Sequence, residues 1–160
     1  MSSQLKLLTE DKMTAIPAEL QPEHGEVFTR RWVVEFILDA VGYLPHRDLA
    51  GAYIVEPSCG SGAFVVPIIE RLLESAALHD RDFSELRTAV LAVDLLPHNV
   101  EFARQSASSL LVEAGCTAEV ASDLAENWIR CQDFLLDSVQ EATADFVVGN
   151  PPYILSLIHI

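Results

Sequence analysis

Residues 52–78 read AYIVEPSCGSGAFVVPIIERLLESAAL. AYIVEP has the residue types of a short strand and is stopped by proline. CGSG is a glycine turn, and FVVPIIERLLESAAL has the apolar spacing of a helix. Pro67 is tolerated there because the first amides of a helix lack partners in any case. Outward from this unit, TAVLAVDL (88–95) fits a strand buried on both faces. Pro97 suits the first position of a helix running to Ala114, with Gly115 past its end. LHDRDFSELR (78–87) is an insertion or an extended helix end. NWIRCQDFL (127–135) predicts a third strand, and ADFVVGNPPY (144–153) a fourth that stops at two prolines. Upstream, Trp32, Val33, Phe36, Ile37, Ala40 and Val41 share helical spacing from Thr29, with Gly42 as C-cap. Residues 1–22, with Pro17 and Pro22, form a loosely ordered lead-in. Strands alternating with helices predict an α/β fold, a mostly parallel sheet with flanking helices. Ligands on such sheets sit beyond the carboxyl ends of the strands. The unusual residues fall at such ends: 56–62, Asp94, Asp133 and 150–153.

Composition narrows the function. The chain has 160 residues, half of them hydrophobic, which is one domain's worth of material. It carries no apolar run long enough to span a membrane and no signal-peptide layout, so a cytoplasmic location is expected. Ten basic side chains stand against 24 acidic ones, a net charge of −14. Duplex DNA is held largely through its phosphates by Lys and Arg, so this stretch is not a self-sufficient nucleic-acid binder. Cys59, Cys116 and Cys131 lie far apart, without a paired spacing or clustered histidines. Buried reduced thiols are expected, with neither a disulfide framework nor a metal site.

In VEPSCGSGAF (55–64), Gly60 and Gly62 let backbone approach a ligand closely. The turn also fits a simple tight strand–helix connection. It is neither a P-loop nor a G-x-G-x-x-G fingerprint. Glu56 ahead of it would repel a pyrophosphate but could pair with the ammonium of an amino-acid moiety, which favours S-adenosylmethionine over a dinucleotide. Asp94 closes the second strand, where it could accept from two ribose hydroxyls or cap the helix that starts at Pro97. It lies 38 positions beyond Glu56, against roughly 20 in dinucleotide binders. Asp133 could accept from an adenine amino group, with Phe134 against the ring, or serve as a turn residue.

GNPPYI (149–154) is the most specific motif. Consecutive prolines lock the backbone and leave their carbonyls rigidly directed. The Asn150 amide oxygen and the Pro151 carbonyl make a two-acceptor cradle for an NH2 group, and Tyr153 offers a face for a planar base. The alternative is a proline turn with a surface tyrosine.

NPPY after EPSCGSGAF, AVDLLP and CQDFLL resembles an amino methyltransferase, nearest to the DNA adenine (N6) methyltransferases of restriction–modification systems. GEVFTRRWVVEFILDAVGY (25–43) resembles the helix-leading motif that these enzymes place ahead of the glycine turn, although Arg30 stands where the family usually has proline. That motif order is similar to the gamma arrangement, and the likeness covers roughly residues 24–154. It implies a Rossmann-like S-adenosylmethionine-dependent methyltransferase fold. Phe28 and Thr29 would line the methionine end of the cofactor, which Glu56, Ser58, Cys59, Gly60, Ser61 and Gly62 would hold. Asp94 would take the ribose, and Leu95 would flank the adenine held by Asp133 and Phe134. Asn150, Pro151, Pro152 and Tyr153 would act on a flipped-out adenine in double-stranded DNA, without metal or covalent enzyme intermediate. The pattern does not continue beyond Tyr153. Residues 155–160 (LSLIHI) resemble the translation of a sequencing adaptor. The expectation is a catalytic domain truncated after its fourth strand, inactive alone, with DNA bound through an absent C-terminal target-recognition region. Two other readings stand beside it: a protein-glutamine or RNA amine methyltransferase, and a non-catalytic nucleotide-binding module.

Overall fold

The computed structural model describes residues 29–137 and 143–150. Its order is α1 (Arg31–Val41), β1 (Ile54–Glu56), α2 (Val65–Leu78), β2 (Val90–Asp94), α3 (Pro97–Glu113), α4 (Ala118–Trp128), β3 (Ile129–Cys131) and β4 (Phe146–Val147). Short 3-10 turns cover Leu49–Gly51 and Phe83–Leu86. The strands form one sheet in the order β3-β2-β1-β4, and all three pairings are parallel. The α/β expectation therefore holds. The chain moves outward from β1 to β2 and β3, then returns to the other side of β1 with β4. That reversal is a topological switch point, and it lies between β1 and β4.

The pairing Ile54↔Val90 and Ile54↔Phe146 aligns side chains on one face. There Ile54, Val90, Ala92 and Ile129 join the main core with Val34 and Leu38 of α1, Ile68, Ile69 and Leu72 of α2, and Leu111 of α3. Each aliphatic side chain so buried contributes about 1.5–3 kcal/mol. The opposite face carries a smaller cluster, Val55, Leu91 and Val93, packed by Tyr53, Phe134 and Ala144.

Helix α2 buries nearly its whole length because apolar residues recur at helical spacing, and Pro67 is among its buried residues. Buried Ser75 is satisfied: its Oγ accepts from the Leu49 amide (2.9 Å) and donates to the Arg47 carbonyl (2.6 Å). Helix α1 is fastened to α2 by arginine. Arg71 donates to the Glu35 carboxylate (2.6 Å), to the Tyr43 carbonyl (2.9 Å) and to Asp39 (2.8 Å), while Arg31 bridges Glu35 and Glu70. Gly42 ends α1 at φ 79°, and Pro97 occupies the first turn of α3.

Three expectations need correction. Helix α4 was not foreseen, and the predicted third strand is only Ile129–Cys131, with Asn127 and Trp128 belonging to α4. The apolar stripe of α4 (Ala121, Leu124, Ala125, Trp128) is as marked as that of α2. Thr117 caps it by accepting from the Val120 amide. Trp128 is fully buried, and its indole N–H donates to the Leu86 carbonyl (3.0 Å). Within residues 78–87, helix α2 ends at Leu78, so the segment is not an extended helix end. It holds a 3-10 turn, Phe83–Leu86, with an Asp82/Glu85 capping box. Cys59 and Cys116 are buried, but Cys131 is exposed, because the last residue of edge strand β3 points out of the core. Among the described residues no helix is long and apolar enough to cross a membrane.

Candidate functional site

The glycine turn after β1 is tied to the end of β2. The Cys59 amide donates to the Val93 carbonyl (2.8 Å) and the Gly60 amide to Asp94 Oδ2 (2.9 Å). Gly60 and Gly62 stand at φ 50° and 96°, in the left-handed region that side chains disfavour. Burial pushes the Cys59 thiol up, with the Asp94 and Glu56 carboxylates adding to the rise. A thiolate nucleophile is therefore disfavoured in this turn. Ser58 and Ser61 are half-buried along the same turn.

Glu56 ends β1 with 1% of its surface exposed. Neither carboxylate oxygen has a hydrogen-bond partner of good geometry. Burial raises its pKa well above 4.5 and the Asp94 charge raises it further, while the Ser58 amide draws it partly back. A buried carboxyl group without a partner is costly, and a cation arriving there would relieve that cost.

Asp94 is 9% exposed. Its Oδ1 accepts from the Leu96 amide (2.9 Å) and the Asn99 side chain (3.2 Å). It therefore braces the start of α3 from two residues before the Leu96 cap, while Oδ2 holds the turn. A carboxylate offers about four lone-pair sites, so these bonds leave acceptor capacity. Leu95 is 65% exposed at the rim. Asp133 takes the turn role, its Oδ1 accepting from the Leu135 and Leu136 amides (2.9 and 3.2 Å). Phe134 packs against Val55, Leu91 and Val93.

Across the switch point, the Val148 amide donates to the Val55 carbonyl (3.0 Å), which brings Gly149 and Asn150 beside the end of β1. Asn150 is half-buried, and its Nδ2 donates to Thr29 Oγ1 (3.2 Å) at the entry to α1. That bond engages the Nδ2 end of the amide and leaves Oδ1 as its acceptor atom. Tyr43 packs edge-on against Phe146 (ring centroids 5.3 Å apart, 81°), a second link from the α1 region to β4. The sequence reading missed both the Thr29–Asn150 bond, which joins positions 121 apart, and the close approach of Gly149 to Glu56. Neither has a local sequence signal. Phe28, Pro151, Pro152 and Tyr153 lie outside the described residues.

Glu56, Asp94, Asp133 and Asn150 thus stand at or just beyond the carboxyl ends of β1, β2, β3 and β4, with Thr29 bonded to the last of them. Over residues 10–157 the sequence matches the N-6 DNA Methylase family. The chain belongs to that family.

This methylase chain is 42% identical over 136 residues to the Type II methyltransferase M.XhoI of Xanthomonas vasicola, covering 82% of the chain and 25% of that protein. It is 40% identical over 133 residues to the Type II methyltransferase M.PaeR7I of Pseudomonas aeruginosa, covering 81% and 23% respectively. Identity to the Type II methyltransferase M.BstVI of Geobacillus stearothermophilus is 30% over 138 residues, covering 82% and 25%. The methylase chain spans about a quarter of the length of these relatives.

Proposed function

We propose that this chain supplies the cofactor side of a restriction–modification enzyme that methylates the N6 amino group of adenine in double-stranded DNA, with S-adenosylmethionine as donor. One observation carries the reading: Asn150, from the NPPY motif, stands across the switch point from Glu56 and the glycine turn. In this reading residues 24–154 belong to the catalytic domain. The charge of −14 assigns DNA contact to surfaces outside these 160 residues.

The residues fit the cofactor. Glu56, an unpartnered buried acceptor, suits the ammonium of its methionine part. The turn of Ser58, Cys59, Gly60, Ser61 and Gly62, with Phe28 and Thr29, would enclose that part. Asp94 would take the ribose, and Leu95, Asp133 and Phe134 the adenine. When bound, the cofactor supplies an electrophilic methyl group on a sulfonium. Asn150 Oδ1 and the Pro151 carbonyl would accept the two hydrogens of the target amine and so free the nitrogen lone pair for attack on that methyl carbon, its bond to sulfur breaking to leave a neutral thioether. Tyr153 would offer its ring to the base, and the amine's proton would pass to water.

Thr29 has a part in this chemistry. Its hydroxyl accepts from Asn150 Nδ2 and so fixes which end of the amide faces outward. Thr29→Val is expected to lower kcat about tenfold, the effect of one hydrogen bond of roughly 1.4 kcal/mol, and Thr29→Ser to restore it. Steady-state rates on DNA at saturating cofactor check this.

The reading itself is tested by expressing the complete gene product. Host DNA, RNA and protein are then digested and analysed by mass spectrometry. N6-methyladenine confined to DNA is expected. Methylated glutamine, or methylated amines in RNA, would replace the substrate. Absence of any methylated product, together with calorimetry showing no binding of S-adenosylmethionine, would leave a nucleotide-binding module.

A further inference from the structure

Gly149 lacks a side chain for a reason of space. Its φ lies outside the left-handed region, unlike the glycines of the turn. A Cβ at position 149 would collide with Glu56 Oε1, while standing 3.2 Å from Glu56 Cδ and 3.5 Å from Pro57 Cδ. The colliding atom is the end of the Glu56 side chain, which is 1% exposed, so a methyl group at 149 has to push a buried carboxylate aside or move the backbone that carries it. Contacts of that closeness are resolved only by moving one partner.

The chain on either side of Gly149 is fastened. One residue before it, the Val148 amide is bonded to the Val55 carbonyl. One residue after it, the Asn150 side chain is bonded to Thr29. Between these two points the backbone rests on the Glu56 carboxyl group.

We infer that Gly149 is a positioning residue through which Glu56 and Asn150 are set as one unit. The carboxylate that holds the cofactor's ammonium also fixes how far the strand delivering the catalytic amide stands from it. The inference rests on the functional reading above. It adds that the cofactor and amine sites share a direct backbone contact, so neither can be moved alone. A side chain at 149 displaces either the carboxylate or the Asn150 loop, and both sites feel the change.

The test is a double-mutant cycle in the complete gene product. It uses Gly149→Ala, Glu56→Asp, which retracts the carboxylate by one methylene, and the pair. The readouts are calorimetric Kd for S-adenosylmethionine and kcat at saturating cofactor. Gly149→Ala is expected to weaken cofactor binding about tenfold and to lower kcat about a hundredfold. The double variant is expected to be no worse than the poorer single variant, a coupling of at least about tenfold between contacting residues. Wild-type Kd and kcat in Gly149→Ala overturn the inference, as do fold losses that simply multiply.

If Gly149→Ala melts early, Glu56→Ala/Gly149→Ala, which removes the colliding group, is expected to regain the wild-type Tm. Failure to do so also overturns the inference. The functional reading fails separately, on a fully active Asn150→Ala. The binding cycle between positions 56 and 149 remains measurable in either case.

Discussion

Replacing Asn150 by alanine is expected to lower methyl transfer by about 10³ while leaving the Kd for S-adenosylmethionine within about threefold. The size follows from removing one preorganised polar contact to the reacting group, which typically costs 10²–10³ in kcat. The split follows from position. Asn150 belongs to the β4 end, whereas the charged groups suited to the cofactor, Glu56 and Asp94, end β1 and β2. Asn150→Asp keeps an acceptor at the same place and is expected to lose far less. Rapid-quench measurement of N6-methyladenine with prebound cofactor separates chemistry from binding. An alanine variant as fast as the wild type would remove Asn150 from the reaction.

The second large effect is expected at Glu56, with opposite signs for binding and stability. Its carboxyl group is buried without a partner, so the folded apo protein favours the neutral form. Folding raises this pKa above 4.5. The associated stability is therefore complete below pH 4.5 and is lost as pH rises through the higher folded value. Glu56→Gln cannot ionise and is expected to flatten this fall in apo stability. Glu56→Met also removes the unsatisfied oxygens, worth about 2 kcal/mol, and is expected to raise the apo Tm by roughly 4–8 °C. Both variants lose the charge that pairs with the cofactor's ammonium, about 3 kcal/mol, or on the order of a hundredfold in Kd. Thermal melts across pH 5 to 9, with and without cofactor, check both signs. A Glu56→Met protein that binds as tightly as the wild type, or melts lower, contradicts this account. Strain or unpaired polarity retained at a site at the expense of stability marks a functional residue.

Much of this was legible locally. The apolar spacing of α1 and α2, Gly42 and Pro97 as helix boundaries, and the buried runs of β1 and β2 each depend on neighbours a few residues away. The glycine turn and Asn150 of the proline motif were legible for the same reason, since close backbone approach and an amide acceptor ahead of locked φ angles are properties of short peptides. Helix α4 was not read, although its apolar stripe is as marked as that of α2, because it runs directly into the Trp128–Ile129 pair, which reads equally well as strand. Asp94 shows a third case. Its place at a strand end was evident, but only the folded chain reveals that one carboxylate braces α3 and holds the turn at once.

The sequence by itself determined the element types and the chemistry available at their ends, because dihedral preference and apolar period act over a single turn or strand. Tertiary structure alone decided that β4 lies against β1 rather than beyond β3. Parallel pairing joins segments some ninety residues apart, as Ile54↔Phe146 shows, and no local preference encodes such a partner. From that one pairing follow the seat of Gly149 on Glu56 and the bond from Asn150 to Thr29.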